Sequence, residues 1–392
     1  MINKTKQTGA TKICFVAPGL TAVYSLLSGK NPETIGGPDV HLFLLAKELI
    51  KHDFKLSIIV HDEGGAPVEY INGIELIKIH KDTHRLKILN MVLELFRIWN
   101  AMRKTNAHIY VQRGGVSGAA ASFCRLTGRK FIFSIASDAL VNRELLKKVK
   151  EFNRPIFSSL AAFGNWLDIK LADVIIVQNK YQRVMLEKKN GREGILIKKP
   201  FPLVERGMPE KAKPPIVLWV GAMAEVKQPE LFVKLAEAIP EARFQIIGGP
   251  SGNEELYDMI KESSKRISNS DFVGVVPFHE VNEYFSRASI LVNTSLFEGF
   301  PHAFIQAWMH YVPVVSLTAD PDEILYKYKI GFHSKTFNQL VEDVERLLKD
   351  EQLREEMGKN ARQYVEREQD ITNVIEKYIE VFEHVMRCSK ND

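Results

Sequence analysis

The chain of 392 residues is 45% hydrophobic and 26% charged, which excludes a fibrous or wholly disordered protein and predicts two or three globular domains. Three widely spaced cysteines argue against a disulfide framework or a zinc site. Residues 1–210 hold 32 Lys plus Arg against 19 Asp plus Glu, whereas residues 211–392 hold 21 against 29. We therefore expect only the first half to meet an anionic partner, and nucleic acid and an anionic membrane surface both fit.

The sequence gives no sign of a targeting or membrane-spanning segment. The first ten residues lack the apolar stretch of a secretory signal, so we expect a cytoplasmic protein. The longest uncharged run, residues 299–319, contains Pro301, His302, His310 and Pro313. These residues favour a soluble segment over a membrane span.

The first half alternates predicted strands and helices, a pattern typical of a parallel α/β sheet. A strand at 12–17, a helix at 38–52 and a strand at 56–60 open the pattern. Asn72-Gly73 predicts a hairpin turn within residues 69–79. Further strands are predicted at 108–112, 130–135, 174–178 and 195–198.

A segment with five prolines and no apolar periodicity, residues 198–215, is interpreted as an interdomain linker. After it, a second α/β sheet is predicted from strands at 217–220, 243–248, 271–276, 290–293 and 314–317. Thr336 with Gln339 predicts a capping box that opens a run of helices, the last at 371–387. The expected domains are residues 1–205 and 206–370, followed by a C-terminal helical segment, 371–392.

The most informative stretch is SLFEGFPHAFIQAW, residues 295–308. It follows an apolar strand, turns through Gly299 and Pro301, and opens a helix whose first free N–H groups would face a phosphate. Glu298 lies at the turn, and Gln306 lies about two helical turns further along the same edge. An ordinary loop-to-helix junction is the alternative interpretation.

This stretch resembles the signature of glycosyltransferase family 4 (glycosyl transferases group 1), in which Glu, seven residues and a second Glu grip a nucleotide sugar. Gln306 stands where the second Glu belongs. The resemblance runs from KICFVAP, residues 12–18, through the last helix. It implies the GT-B fold, in which two Rossmann-like, doubly wound domains face a central cleft and the C-terminal helix crosses back to the first domain.

The same resemblance implies which second-domain residues bind the donor. Glu298 would bind hydroxyls of the transferred sugar, Gln306 the ribose, and Lys227 the diphosphate. Ala222 replaces the Arg that usually follows Gly221 directly. Further donor contacts are implied for strand-end and helix-start residues. They are Gly221, Gly248, Val276, Phe278, Gly299, His302, Ala303 and Phe304.

In the first domain, Gly36 and Gly37 resemble the family's Gly-Gly loop and would let the backbone approach a phosphate or sugar closely. Arg113 follows a predicted strand and is our hypothesis for a cation that replaces the missing Arg; a surface Arg at a strand end is the alternative. The family often has a His where this chain reads Ala136-Ser137-Asp138. Asp138 is the nearest polar candidate there, or else a strand-end cap.

Two stretches rich in Lys and Arg, residues 84–104 and 143–154, also carry large apolar residues. Basic amphipathic helices lie on anionic lipid, so they favour a peripheral membrane association rather than nucleic acid binding. The alternative is that their apolar faces belong to the core and their basic faces are merely solvated.

The resemblance therefore implies a retaining transferase that moves a hexose-type sugar from a nucleotide diphosphate sugar to a glycan or lipid-linked acceptor, in surface polysaccharide or glycoconjugate biosynthesis. Glu298, Lys227 and Asp138 are the candidate catalytic residues, and no metal or other cofactor is expected. A catalytically silent sugar-nucleotide-binding homologue with a scaffolding role is the alternative, given Ala222, Ala136 and Gln306. A dinucleotide-dependent dehydrogenase is disfavoured, because neither candidate loop has the spacing of glycines that it needs.

Overall fold

A computed structural model describes residues 10–32, 35–80, 87–113, 117–142, 145, 159–203 and 207–388. Within these residues the chain forms two separate sheets, one from each half of the sequence. Helices follow most strands, because apolar strands that are buried on both faces need cover on both sides. None of the described helices has both the length and the apolar character needed to cross a membrane.

The first sheet has eight strands in the order β3-β4-β2-β1-β5-β6-β7-β8. They are β1 (Thr11–Val16), β2 (Phe54–His61), β3 (Val68–Ile71), β4 (Ile74–Ile79), β5 (Ile109–Arg113), β6 (Lys130–Ser134), β7 (Val174–Val177) and β8 (Ile195–Leu196). All neighbouring strands are parallel except β3 and β4, which form the predicted hairpin. Asn72 and Gly73 in its turn have positive φ angles of 51° and 82°, as a tight hairpin turn requires.

Helices of the first domain precede or follow these strands. They are α1 (Ala22–Leu27), α2 (Gly37–Leu49), α3 (Lys87–Thr105), α4 (Ala119–Thr127), α5 (Ser159–Leu171) and α6 (Lys180–Asn190). Strand order reverses between β1 and β5, which neighbour each other although β2 to β4 intervene in sequence. Such a reversal leaves a crevice at the carboxyl ends of the strands, where ligands bind in open α/β sheets.

The second sheet has six parallel strands in the order β11-β10-β9-β12-β13-β14. They are β9 (Ile216–Val220), β10 (Arg243–Ile247), β11 (Ser270–Gly274), β12 (Ile290–Asn293), β13 (Val314–Ser316) and β14 (Gly331–His333). Their helices are α7 (Pro229–Ala238), α8 (Glu254–Lys265), α9 (Val281–Arg287), α10 (His302–Met309), α11 (Ile324–Lys327), α12 (Phe337–Lys349) and α13 (Glu351–Glu368). The order reverses between β9 and β12, so a second crevice opens at that edge.

The predicted capping box at the start of α12 is half formed. The Thr336 hydroxyl accepts a hydrogen bond from the backbone N–H of Gln339 at 3.2 Å, which caps the helix. The Gln339 side chain does not return to Thr336 and instead donates to the Asp343 carboxylate at 3.0 Å. The cap therefore fixes the start of α12 without the reciprocal bond.

The last helix, α14 (Ile371–Cys388), packs on the first domain, as the resemblance implied. Its Tyr378 and Phe382 are buried in the core with residues of β1, β2 and α2. The ring of Phe382 meets Phe54 edge-on, with centroids 5.8 Å apart, and Tyr378 hydrogen-bonds His41 at 3.1 Å. The first domain therefore depends on residues from the far end of the chain for part of its core.

The chain crosses between the two sheets at two places that touch each other. On the outward crossing, the N–H of Phe201 donates to the carbonyl of Gln369 at 2.9 Å. On the return, the N–H of Ile371 donates to the carbonyl of Phe201 at 3.0 Å. The segment interpreted as a linker is therefore partly ordered by backbone pairing.

The basic helix α3 supports both interpretations of its stretch. Ile98 and Met102 are buried in the first-domain core, whereas Phe96 is 62% exposed and Val92 is 40% exposed. Part of the apolar surface is thus core and part faces outward. The second basic stretch, residues 143–154, lies outside the described residues apart from Leu145.

Candidate active site

A cavity of about 400 Å³ lies between the two domains, in the size range of small-molecule sites. The first domain contributes the Gly36-Gly37 loop and Ala136. The second domain contributes the loops that follow β9, β10, β11 and β12. The cavity thus forms where the carboxyl ends of parallel strands are expected to place a ligand.

Two glycine turns shape the second-domain wall. The N–H of Gly221, after β9, donates to the carbonyl of Ile247 at 3.0 Å, and the N–H of Gly248, after β10, donates to the carbonyl of Gly274 at 2.9 Å. A Cβ atom at position 248 would lie 1.8 Å from the carbonyl oxygen of Gly221, which no side chain tolerates. Glycine at this position is therefore needed for adjacent strand ends to approach each other beside the cavity.

Lys227 and Glu298 form an ion pair in the cavity wall. The Lys227 backbone is held by the Thr294 hydroxyl, which donates to its carbonyl at 2.7 Å and accepts from the Trp219 indole at 3.0 Å. On the other side, the Ser295 hydroxyl donates to the Glu298 carboxylate at 2.8 Å. Both charged groups are thus fixed by neighbours that the sequence supplies from β9 and from the end of β12.

The charge state of Glu298 follows from these contacts. Burial raises the pKa of its carboxyl group, but the charge and hydrogen bond of Lys227, the Ser295 hydroxyl and the charge of Lys199 outweigh that effect. The net pKa lies below the usual 4.5, so the group is a carboxylate at neutral pH. A fixed carboxylate can accept hydrogen bonds from hydroxyl groups of a bound ligand.

Helix α10 begins with Pro301 as its N-cap, and His302, Ala303 and Gln306 face the cavity. The side chain of Phe304 does not, because it is fully buried against Trp308, with ring centroids 5.5 Å apart. A ligand role for Phe304 is therefore restricted to its backbone. Free N–H groups in the first turn of a helix favour a bound anion.

The first domain touches α10 through glycine. A Cβ atom on Gly37 would lie 2.8 Å from Cδ2 of His302, so a larger residue would push the domains apart. Burial, together with the charges of Lys199 and Arg113, holds the pKa of His302 well below 6.5. His302 is therefore neutral at physiological pH and packs against the loop rather than acting as a cation.

The remaining predicted donor residues also line the cavity: Gln306, which is 6% exposed, Val276, Phe278 and Gly299. The Phe278 ring meets Phe43 of α2 edge-on at 6.2 Å, which adds a second contact between the domains. The structure thus brings together all predicted second-domain residues except the side chain of Phe304.

Asp138 lies behind the cavity wall rather than in it. Its carboxylate accepts hydrogen bonds from Asn179 at 3.1 Å and Gln182 at 2.8 Å, while Ala136 takes the position that faces the cavity. Burial raises the pKa of Asp138, although both amide donors partly oppose this. These contacts favour a role in holding the wall near Gly299 over direct contact with a ligand.

Arg113 does not stand at the cleft edge, where the sequence placed it. It is 3% exposed, does not line the cavity and donates to the Ser134 hydroxyl at 2.8 Å. Burial lowers the pKa of Arg113 to about 10, and Tyr378 of α14 lies close enough to oppose this in part. The final helix therefore reaches Arg113. The sequence of the first domain alone does not reveal that α14, the last element of the chain, approaches Arg113.

Lys199 is a cavity residue that the sequence analysis missed. It lies in the segment interpreted as a linker, where lysines are usually solvated, yet it is 6% exposed and donates to the carbonyl of Phe300. The available signal was its place three residues after β8, at the carboxyl end of a first-domain strand. Among the described residues, no group of three His, Cys, Asp or Glu side chains is placed to hold a metal ion.

Part of the chain that contains this cavity is similar in sequence to known proteins. Residues 204–364 match the family model described as Glycosyl transferases group 1. A trehalose synthase from Thermococcus litoralis is 24% identical over 171 residues, which cover 42% of this chain and 41% of that protein. The match thus spans about two fifths of the length of that relative.

Solved structures resemble nearly the whole chain. Sucrose-phosphate synthase from Thermosynechococcus elongatus superposes with a TM-score of 0.78 at 15% identity, covering 96% of this chain and 100% of that one. Anabaena HepE in complex with UDP-glucose gives a TM-score of 0.71 at 12% identity, covering 95% of this chain and 99% of that one. At these identities the likeness establishes the fold, which is that of the GT-B glycosyltransferases. Residues 204–364, which contain Lys227, Glu298 and Gln306, thus match the glycosyl transferases group 1 model within a chain that has the GT-B fold.

Proposed function

We propose that the protein is a retaining glycosyltransferase that moves a hexose-type sugar from a nucleotide diphosphate sugar to a glycan or lipid-linked acceptor. The observation that carries the proposal is the Lys227–Glu298 pair beside the N-terminus of α10, in a cavity walled by glycine turns. A cation and free helix N–H groups suit a diphosphate, and a carboxylate suits sugar hydroxyls. The solved complex of HepE with UDP-glucose supports a nucleotide-sugar donor.

The proposed chemistry needs no protein nucleophile and no bound metal. The acceptor hydroxyl attacks the anomeric carbon from the face that the nucleotide leaves, and the leaving phosphate accepts the hydroxyl proton. Lys227 and the first N–H groups of α10 stabilise the negative charge that builds on that phosphate. NMR of the product's anomeric centre tests retention, and an unchanged rate in excess EDTA is the result expected if no metal takes part.

The test of the site is Glu298→Gln, which keeps the side chain's shape and removes its charge. Loss of hydrogen bonds to the reacting sugar should lower kcat/KM by ~100-fold, the scale of one stabilising contact at a reacting centre. Glu255→Gln on the exposed face of α8 is the matched control and should behave as the wild type. Equal transfer by both variants would contradict the role of Glu298.

A catalytically silent sugar-nucleotide-binding homologue with a scaffolding role is the second candidate. It is favoured by Ala136 and Ala222, which line the cavity where the resemblance calls for His and Arg. Thermal shift with UDP, GDP, ADP and their sugars identifies a ligand, because binding to the native state raises the melting temperature. Binding without hydrolysis or transfer, across donors and acceptors, supports the silent homologue; turnover of any bound donor contradicts it.

We further propose that the first domain binds the inner face of an anionic membrane. The protein would act there in surface polysaccharide or glycoconjugate biosynthesis. Phe96 and Val92 on α3 and Phe163 and Trp166 on α5 are exposed, and the rings of the α5 pair stack 5.6 Å apart. Arg103 on α3 is also exposed, in the half of the chain with excess positive charge. Exposed aromatic residues together with basic groups suit a lipid interface, and no nucleic acid partner is proposed.

A further inference from the structure

A second lysine reaches the cavity from outside both sheets. Lys199 follows β8 on the outward crossing between the domains and lines the cavity together with Lys227 and Glu298. Its side chain is buried, with 6% of the residue exposed. Lys199 lies three residues beyond the carboxyl end of β8, so it reaches the cavity from the first-domain side rather than from a second-domain strand-end loop.

The surroundings of Lys199 leave its ammonium group incompletely satisfied. Of its three N–H donors, one donates to the carbonyl of Phe300. Within the described residues no carboxylate forms an ion pair with it, whereas its neighbour Lys198 lies 3.6 Å from the carboxylate of Asp322. A buried ammonium without an anionic partner is costly, so this position favours a ligand that supplies negative charge.

Charged and titratable groups around Lys199 act in opposite directions. Six groups are linked to Lys199 through charge effects on pKa values. They are the basic Arg113, Lys227, His302 and His41 and the acidic Glu298 and Asp138. Burial, followed by the charge of Arg113, lowers the pKa of Lys199 well below 10.5, and Glu298 only partly offsets this. Lys199 therefore holds its proton less tightly than an exposed lysine does, and a bound anion would strengthen that hold.

In the part of the chain that the structure describes, the second-domain wall of the cavity lacks a free cation for a bound diphosphate. Ala222 lines the cavity at the position where the resemblance calls for a phosphate-binding Arg. The remaining second-domain cation, Lys227, is already paired with Glu298. Arg113 is buried and does not line the cavity.

We propose that Lys199 is the second cation for the donor diphosphate and takes over the part of the missing Arg from the other side of the cleft. This role rests on the proposed function. In the transfer step, the bond between the anomeric carbon and the phosphate oxygen breaks, and its electron pair stays on that oxygen. The acceptor oxygen bonds to the anomeric carbon and gives its proton to the leaving phosphate. The Lys199 ammonium stabilises the charge that develops on that group before the proton arrives.

The test compares Lys199→Met with Lys198→Met, which changes its half-buried neighbour outside the cavity. Calorimetry measures the affinities for UDP, GDP and ADP and for the corresponding nucleosides. The difference within each pair separates the diphosphate contact from the contacts of the base and ribose. For whichever diphosphate the wild type binds, Lys199→Met should weaken binding at least ~10-fold, or ~1.4 kcal/mol, and leave nucleoside binding unchanged. Lys198→Met should bind as the wild type. Without ligand, Lys199→Met should melt no lower than the wild type, because it removes a buried polar group.

A second measurement keeps the test independent of folding defects. Diphosphate binding at pH 8 by the wild type should take up protons, seen as different heats in two buffers of different ionisation enthalpy. Lys199→Arg keeps the charge permanently and should reduce that uptake. Equal affinity for the diphosphate in the wild type and Lys199→Met, or equal proton uptake in Lys199→Arg, overturns the role of Lys199 alone. Failure of the wild type to bind any of the diphosphates overturns the proposed function and this role with it.

Discussion

The side-chain amide of Asn179 donates a hydrogen bond to the backbone carbonyl of Gly299 at 2.9 Å, across the domain boundary. The oxygen of the same amide caps α6 by accepting the N–H of Gln182 at 2.7 Å. From the second domain, Asp322 accepts the N–H of Lys180 at 2.9 Å in the first turn of that helix. The start of α6 is therefore held by both domains, and the Gly299 that it contacts directly follows Glu298 in the chain.

Replacing Asn179 with Asp should open this contact. The aspartate still caps α6, but it offers no N–H to Gly299 and places a second carboxylate beside Asp138. Leaving the Gly299 carbonyl unsatisfied costs ~1–3 kcal/mol, so the closed arrangement should lose population. We expect a larger radius of gyration in small-angle X-ray scattering and ~10-fold weaker nucleotide binding.

The control for that variant is Asn253→Asp, which changes another N-cap asparagine, one that accepts the N–H of Leu256 at 3.0 Å within the second domain. It applies the same chemical change away from the boundary. Asn253→Asp should leave the radius of gyration and the nucleotide affinity unchanged. If Asn179→Asp also leaves both unchanged, the contact does not hold the domains together.

Replacing Gln306 with Glu should bind a nucleotide diphosphate at least as tightly as the wild type. An amide offers one acceptor oxygen to the ribose hydroxyls, whereas a carboxylate offers two. The cost falls on the free protein, since Gln306 is buried and a new carboxylate there loses hydration. We therefore expect a lower melting temperature without ligand and a larger ligand-induced shift.

Gln306→Leu is the control, because it removes the acceptor at similar volume and should weaken nucleotide binding. Clearly weaker binding by Gln306→Glu than by the wild type would show that Gln306 does not face the ribose.

Asp168 should make the first domain less stable as pH rises. Its carboxylate is fully buried on α5 and accepts from the Gln112 amide at 2.9 Å, and burial raises its pKa from 3.8 to about 7. A raised pKa means that the folded protein binds the proton more tightly than the unfolded chain, so stability is present at low pH and is lost between about pH 4 and 7. Asp168→Asn removes this loss and should be more stable at pH 8 by up to ~4 kcal/mol.

Melting temperatures of the wild type and Asp168→Asn across pH 4 to 8 check this, with the exposed Asp258→Asn as control. The curves should converge at low pH and separate at high pH. Asp39 contributes a residual slope in every variant, because burial raises its pKa to about 6. A variant that is less stable than the wild type at pH 8 contradicts the assignment.

The exposed aromatic residues of the first domain should mediate lipid binding. Phe96→Ser combined with Trp166→Ser removes two exposed side chains from α3 and α5 and should reduce flotation with vesicles that contain anionic lipid by several-fold. Vesicles of neutral lipid are the control for the charge contribution. Tyr326→Ser, an exposed aromatic change in the second domain, should not alter flotation. Equal flotation by the double variant and the wild type argues against the membrane proposal.

Much of the fold follows from local sequence, because each long apolar run becomes a buried strand and Asn-Gly makes a hairpin. Strand β14 was not predicted, since Gly331–His333 is too short to give a periodic signal. The helix at 302–309 and the cavity residues around it followed from the resemblance of one continuous stretch. Arg113 was misplaced and Lys199 was missed because their burial depends on distant parts of the chain: α14 lies near Arg113, and Lys199 lies on the crossing segment.

The paired crossings at Phe201 and Gln369–Ile371 have a consequence for how this molecule can be divided. Because the first domain is completed by α14, the second domain is topologically an insertion into the first, with its entry and exit side by side. A chain cut at the first crossing leaves an apolar face on α2 uncovered, so residues 1–205 alone are a poor unit for expression. Exchange of the second domain with that of a relative requires two junctions, one at each crossing, so that the core of each domain remains complete.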